Sequence, residues 1–376
     1  MKFRPSSWLC LCAALLPLAS LAQSESAPLF ELQAGLYGAG SGRELRGNIQ
    51  GNLESFEAID NASRAELRAN LNFAPLRIAA TYERGLRNDR AGIMPERQRN
   101  VTLDSALGKL LIGDAPSAFR VAGERLDPFF DTALSGFNGR VLGEGAGYGL
   151  SNLTNSVTRN SLAYTTPTLF GGLTLNAGGY LGTKDAPNDE IDRAVGIAYE
   201  FKGLGGEGNV LQVGAQGLQI DNPTAFALGN SRLNRRSPVG GSPGESDNIR
   251  LHAAFATPRF SLGVSAEHID VKAEPKARGY LFTSATFALN PQFRLAASYG
   301  KLDFKTGSPA LSGDSYALGL FARLTESTNA YLGARRTLLD NHTDATIAAI
   351  GLSISLRGTL YASGGGAAAA EAEPVE

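Results

Sequence analysis

The chain is short of the residues that most readily mark chemistry. Its two cysteines, Cys10 and Cys12, and its one tryptophan, Trp8, all fall within the first 22 residues, and only three histidines occur in 376 positions. Those 22 residues read as a secretory leader. Lys2 and Arg4 form a basic start, Trp8 to Leu21 an apolar core, and Ser20-Leu21-Ala22 a small-x-small cleavage pattern. An N-terminal membrane anchor is the competing reading, but the apolar run is short for a ~20-residue span and Pro17 interrupts it. Cleavage after Ala22 leaves a chain starting at Gln23 with no cysteine, which excludes a disulfide framework, a thiolate nucleophile and a cysteine metal site. No run of ~18 apolar residues follows, so no transmembrane helix is predicted. The leader holds two of the 35 basic residues and none of the 36 acidic ones, so the remainder carries net −3. No nucleic-acid partner is expected from that balance.

What the chain does have is alternation. Leu45, Gly47, Ile49, Gly51 and Leu53 share one side of an extended stretch, and Arg46, Asn48, Gln50 and Asn52 share the other. Ala65, Leu67, Ala69, Leu71 and Phe73 likewise oppose Arg64, Glu66, Arg68, Asn70 and Asn72. Ile249, Leu251, Ala253 and Phe255 oppose Arg250 and His252, and Phe293 to Tyr299 repeats the pattern. A period of two marks strands with one apolar face. Charged and amide side chains at alternate positions cannot fill a dry core, because each buried charge needs a partner. They can line a wet lumen while the apolar face meets lipid.

The connections alternate between tight and long. Ala74-Pro75, Ala106-Leu107-Gly108, Pro258-Arg259, Asn290-Pro291-Gln292 and Thr325-Glu326-Ser327 are tight. Stretches 85–96, 114–157, 182–190, 221–247, 272–279, 304–314 and 340–344 are long and rich in Gly, Pro, Ser and charge. Short turns at one end and long loops at the other wire a transmembrane barrel. The pattern predicts an all-β, antiparallel transmembrane barrel of about sixteen strands, the first over 44–54 and the last over 346–355. A further alternating piece at 30–38 either extends the first strand or closes against the last. The expected organisation is leader 1–22, barrel 23–361 and a disordered Gly/Ala/Glu-rich tail 362–376. A soluble β-sandwich or β-helix shows the same alternation, but a sandwich does not need this wiring and no short repeat marks a β-helix.

Several segments resemble the general trimeric porins of Gram-negative outer membranes. Ser63-Arg64-Ala65-Glu66-Leu67-Arg68 followed by Leu76-Arg77-Ile78-Ala79-Ala80 is similar to that family's second strand, turn and third strand. Arg97 to Leu103 with Leu107-Gly108-Lys109 and Leu111-Ile112-Gly113 is similar to the hairpin entering the long third loop. Asn160-Ser161-Leu162-Ala163-Tyr164-Thr165-Thr166-Pro167 with Gly171-Gly172-Leu173 resembles the strand after it, and Leu324 to Tyr331 the late turn. The resemblance implies a homotrimer in outer-membrane lipid and lipopolysaccharide that passes small hydrophilic solutes and ions, with its third loop folded into the lumen. The sequence departs from the pattern at its end, where no terminal Phe closes the last strand, and at Asp114, Glu326 and Ser327.

The candidate site is then a pore constriction. Arg46, Arg64, Arg68 and Arg77 form an expected basic wall on the early strands; Glu124, Asp127 and Asp131 form the acids of the third loop. Facing charges of this kind set ion selectivity. Gly203-Leu204-Gly205-Gly206-Glu207-Gly208 matches a dinucleotide fingerprint in form, but it joins two alternating stretches and reads as a turn. His252, His268 and His342 stand on separate elements without metal-ligand spacing, and no nucleophile elbow is present. Neither an enzyme nor a cofactor is expected. Arg232, Arg235 and Arg236 in loop 221–247 read first as part of a mobile solvent loop, with contact to lipopolysaccharide phosphates or a phage as the alternative, since arginine suits phosphate recognition. A passive diffusion channel is the leading expectation; a non-conducting adhesin or receptor barrel and an eighteen-stranded substrate-specific channel are the alternatives.

Overall fold

The computed structural model describes residues 28–48, 53–86, 96–136, 149–155, 157–181, 191–221, 245–272, 276–304 and 312–363. These residues form one closed antiparallel sheet: β1 (Phe30–Gly47), β2 (Leu53–Asp60), β3 (Arg64–Phe73), β4 (Leu76–Gly85), β5 (Glu96–Ser105), β6 (Gly108–Pro116), β7 (Val157–Thr165), β8 (Leu173–Tyr180), β9 (Asp192–Lys202), β10 (Val210–Ile220), β11 (Ser246–Ala256), β12 (Phe260–Val271), β13 (Arg278–Ala288), β14 (Phe293–Phe304), β15 (Gly313–Arg323), β16 (Thr328–Leu339) and β17 (Asp344–Ser363). Both β2 and β3 pair with β1, and the register slips by one residue between Gly40↔Asp60 and Tyr37↔Arg64. They are two halves of one strand interrupted at 61–63, so the barrel has sixteen staves. At the interruption Asn61 N donates to Ala39 O at 2.8 Å, and Ala39 N to Ser63 Oγ at 3.0 Å, so side-chain bonding keeps the bulge satisfied.

Closure is made by β1 against β17, from Phe30↔Ser363 to Gly47↔Ala345. This settles the 30–38 piece as part of the first strand and removes the eighteen-stranded alternative. It also corrects the first and last predicted strands. Residues 44–47 end β1 and 53–54 begin β2, which pairs with β1, so the alternating stretch 44–54 is not one strand; residues 49–52 lie outside the described residues. The last strand does not stop at 355, because Arg357 and Thr359 continue the inward face and reach Glu66 and Glu31. Residues 362 and 363 therefore belong to β17; the leader and 364–376 lie outside the described residues.

The two faces follow the period. On β11, Ser246, Asn248, Arg250 and His252 are buried inside, while Ile249 and Leu251 are more than half exposed outside. In lipid such an apolar outer band is solvated, and the sheet leaves no open edge. Beside the short turns, Phe73, Tyr164, Phe170, Phe201, Phe260, Phe287, Phe293 and Tyr361 are exposed. This belt supplies the aromatic girdle that tryptophan often forms. The Gly203–Gly208 segment is the turn between β9 and β10, with positive φ at Gly203, Gly205 and Gly208, a conformation glycine adopts without strain. Leu251→Arg on the outer face should lower the unfolding free energy in lipid by ~2–4 kcal/mol. Urea titration in vesicles checks this, and Thr174→Arg, which points into the lumen, should leave the midpoint near wild type.

Candidate functional site

The long segment between β6 and β7 enters the lumen. Ser117 starts it by accepting a 3.1 Å bond from Arg120 N, capping the helix α1 (Ala118–Glu124). Phe119 of α1 packs with Leu218, Ile220, Ile269, Tyr280 and Leu302, inward residues of β10 to β14. The chain then crosses the barrel. Ser284 Oγ donates to Leu126 O at 2.6 Å, Ala133 N donates to Tyr331 Oη at 3.0 Å, and Arg335 donates to Ser135 O. Phe129 and Leu134 are buried against Ala317, Ala345, Ile347 and Leu45. Glycine makes this approach possible: a Cβ on Gly319 would lie 2.8 Å from Phe129, and one on Gly333 2.7 Å from Leu134. The loop thus lies on the β10–β17 wall, and the charged β3–β7 wall is left facing water.

One ion pair pins the start of the loop. Arg250 and Glu267 are fully buried and 2.7 Å apart. Arg250 also donates to Phe119 O and to Thr154 Oγ1, and its guanidinium stacks 3.9 Å from the Phe119 ring. A planar fork satisfies several acceptors at once, which suits arginine to a buried junction of this kind.

The predicted site residues separate into three groups. Arg64 and Asp131 meet at 2.9 Å, and Arg64 also approaches Glu83 at 3.5 Å. Glu124 pairs with Arg120, and burial raises its carboxyl above the ordinary value despite that partner. Arg68 and Arg77 lie on the inner face, both donating to Asn70 Oδ1, at 3.2 and 3.1 Å. Two expectations are corrected. Arg46 shares the outer face of β1 with Leu36, is largely exposed and pairs with Glu44 at 2.5 Å; the inward arginine is Arg43, bound to Glu57 at 2.7 Å. The alternation is one face out there, because Leu45 is the residue that packs inward. Asp127 is buried and accepts from Ser135 Oγ, Gly136 N and Phe129 N at 2.6, 2.8 and 3.0 Å, so it shapes the loop and does not face the pore.

Sequence reading missed Glu83, Arg97, Arg120 and Arg125. Glu83 was legible, since it continues the inward series Arg77, Ala79, Thr81 of β4. Arg97 reaches Glu83 at 2.7 Å from a register shift opposite Glu83/Arg84, which periodicity cannot see. Arg120 and Arg125 sit in the loop, where no period orders the side chains.

Beneath the loop, towards the short turns, lie two water-accessible spaces. The first, about 720 Å³, runs between Val121–Arg125 and the walls of β3 to β10. The second, about 520 Å³, lies under the loop tip at Pro128–Thr132 against β1 and β14 to β17. A closed barrel with an apolar outside, a polar inside and an inserted loop defines a pore-forming outer-membrane protein.

The sequence model of the Gram-negative porin family matches residues 65–342, and the chain belongs to that family. It is an outer-membrane porin channel. No curated protein matches the sequence. Among solved structures, it is similar in fold to an anion-selective porin from Comamonas acidovorans (15% identity, TM-score 0.63, 87% of this chain and 100% of that one). It is similar also to Salmonella typhi OmpF in complex with daunomycin (13%, 0.60, 87% and 97%) and to a trimer form of Vibrio cholerae OmpT (12%, 0.56, 88% and 100%). Glu267→Ala should destabilise the protein by ~3–5 kcal/mol, because Arg250 is then buried without its counter-charge. Urea unfolding in detergent checks this, and Glu267→Gln, which still accepts a bond, should lose less.

Proposed function

We propose that this porin is a passive diffusion channel with a preference for anions, and that it carries no catalytic step. The supporting observation is the state of its carboxylates. The larger space is lined by Arg68, Lys109, Arg125, Lys202 and Arg357 against only Glu66 and Glu200. Both acids have basic neighbours, Glu66 with Arg357 at 3.4 Å and Glu200 with Lys202 at 3.5 Å. At the loop Asp131, Glu83 and Glu124 are likewise engaged by Arg64, Arg97 and Arg120. Neither Arg68 nor Arg125 has an acidic partner among the described residues. The uncompensated charge along the water path is therefore positive. In a narrow lumen such charge raises the local concentration of anions and excludes cations.

Arg64, Arg68, Arg77, Glu124 and Asp131 remain the proposed constriction. Within it, Arg64 and Asp131 act as a paired tie, and Arg68 with Arg125 supplies the field. Reconstituted in a planar bilayer under a KCl gradient, the wild type should show conductance steps and a reversal potential on the chloride side. Arg68→Glu with Arg125→Glu should move it towards the potassium side. Absence of steps from correctly folded protein would overturn the channel, and an unmoved potential would overturn this selectivity site.

We infer further that the barrel assembles as a homotrimer within outer-membrane lipid and lipopolysaccharide. Gly38, Gly40 and Gly42 follow one another along the outer face of β1, beside the exposed side chains of Phe56, Ile350 and Leu352. Small residues next to protruding apolar ones form a seam into which a second barrel can pack. A Cβ on Gly40 would meet only Ile59 O at 3.6 Å, so the fold tolerates it. Gly40→Trp should leave the barrel folded but convert the cross-linked trimer to monomer on gel filtration; a retained trimer would place the seam elsewhere.

A further inference from the structure

The second space under the loop is unlike the first. Its lining brings Tyr37, Phe130, Phe321 and Tyr331 together with Arg294 and Arg323. Four aromatic rings in a lumen are costly to leave in water; Arg64 covers one face of Tyr37 at 4.1 Å and Arg120 lies 6.0 Å from the Phe130 ring, but no constriction charge stacks on Phe321 or Tyr331 among the described residues. Tyr331 supports the loop through Ala133 and is mostly covered, whereas Tyr37, Phe130 and Phe321 keep part of their surface open. Arg294 lies opposite Phe321 in the β14–β15 register, and its guanidinium sits 4.9 Å above that ring. Neither Arg294 nor Arg323 has an acidic partner among the described residues. The one carboxylate in the lining, Asp131, is taken by Arg64.

We propose that this space is a binding subsite for aromatic carboxylates on the permeation path. This rests on the anion-channel reading above and names a solute class for it. Arg294 is held flat by Phe321, so the edge of its guanidinium stays available for a bidentate carboxylate. The part of Tyr37 that Arg64 leaves uncovered, with the open part of Phe321, offers ring surface on which the aromatic body of the solute stacks or meets an edge. A volume of about 520 Å³ falls within the ~300–1,000 Å³ range of small-molecule sites. Its openness to water suits a transit site, where a solute must enter and leave.

The test uses the full-length protein in planar bilayers, with chloride current as the background signal. Sodium benzoate, sodium acetate and benzyl alcohol are added in turn. Benzoate should reduce the chloride current at a concentration at least about fivefold below acetate, as expected for one added ring contact. Benzyl alcohol, which has the ring without the charge, should have little effect. Arg294→Gln should raise the half-blocking benzoate concentration about tenfold, the loss of one charge-assisted contact. Phe321→Leu, which keeps an apolar side chain, should abolish the advantage of benzoate over acetate. Persisting chloride steps show that each variant has folded, and Arg323→Gln serves if Arg294→Gln gives none. Equal potency of benzoate and acetate would overturn the proposal. So would potent block by benzyl alcohol, or benzoate block that neither arginine substitution weakens. If the wild type gives no chloride steps, the channel reading itself fails, an outcome distinct from the other three.

Discussion

The structure depends on pairing β1 with β17. In lipid, an unpaired backbone N–H or C=O costs several kcal/mol, so a sheet survives there only if it has no edge. The eighteen residues of β1 meet β17 along their length, and on its other side β1 pairs with both β2 and β3. That second seam holds the irregularity at 61–63, and its backbone groups are satisfied by Ser63 and Asn61 rather than left open. Closure also fixes the faces, since every inward residue is then assigned to water or to the loop.

Given a closed barrel of sixteen staves, the lumen is too wide for its own wall residues to fill. The third loop is what narrows it, and the wall of β10 to β17 is shaped to hold it. Alanine, glycine and isoleucine face inward on β15 to β17, where Phe129 and Leu134 dock. Arg250 donates to Phe119 O and Thr154 Oγ1, Glu267 accepts from Ser151 N, and Arg335 donates to Ser135 O, so the wall receives the loop's polar groups. The loop therefore takes one side of the lumen and leaves the other, charged side to solute. Of its acids, Glu124 and Asp131 are engaged by Arg120 and Arg64, and Asp127 holds the loop's own backbone, whereas Arg68 and Arg125 have no acidic partner among the described residues.

The division of the lumen has a second consequence. The space on the charged side is lined mostly by polar and small residues, whereas the one beneath the loop tip collects aromatic rings from β1, β15, β16 and the loop itself. Those rings lie far apart in sequence, and three of them, Tyr37, Phe321 and Tyr331, stand on strands whose period singles out none of them. Only the crossing of the loop places Phe130 over them.

The sequence by itself determined the class of structure. A period of two with a charged alternate face, and turns alternating short and long, require a strand that meets water on one side and lipid on the other. The inward positions of Arg64, Arg68, Arg77, Arg250 and His252 followed from that period, because side-chain direction in a strand is a local property. Where the chain bulges or turns, the period misleads, as at Arg46, Leu45 and Arg97. Within the loop there is no period, so nothing in the sequence distinguished Asp127, which holds the loop's own backbone, from Asp131, which reaches Arg64. Closure of β1 on β17, the wall chosen by the loop and the pairing of its acids were decided by tertiary structure, because each joins residues whose separation along the chain carries no repeating signal.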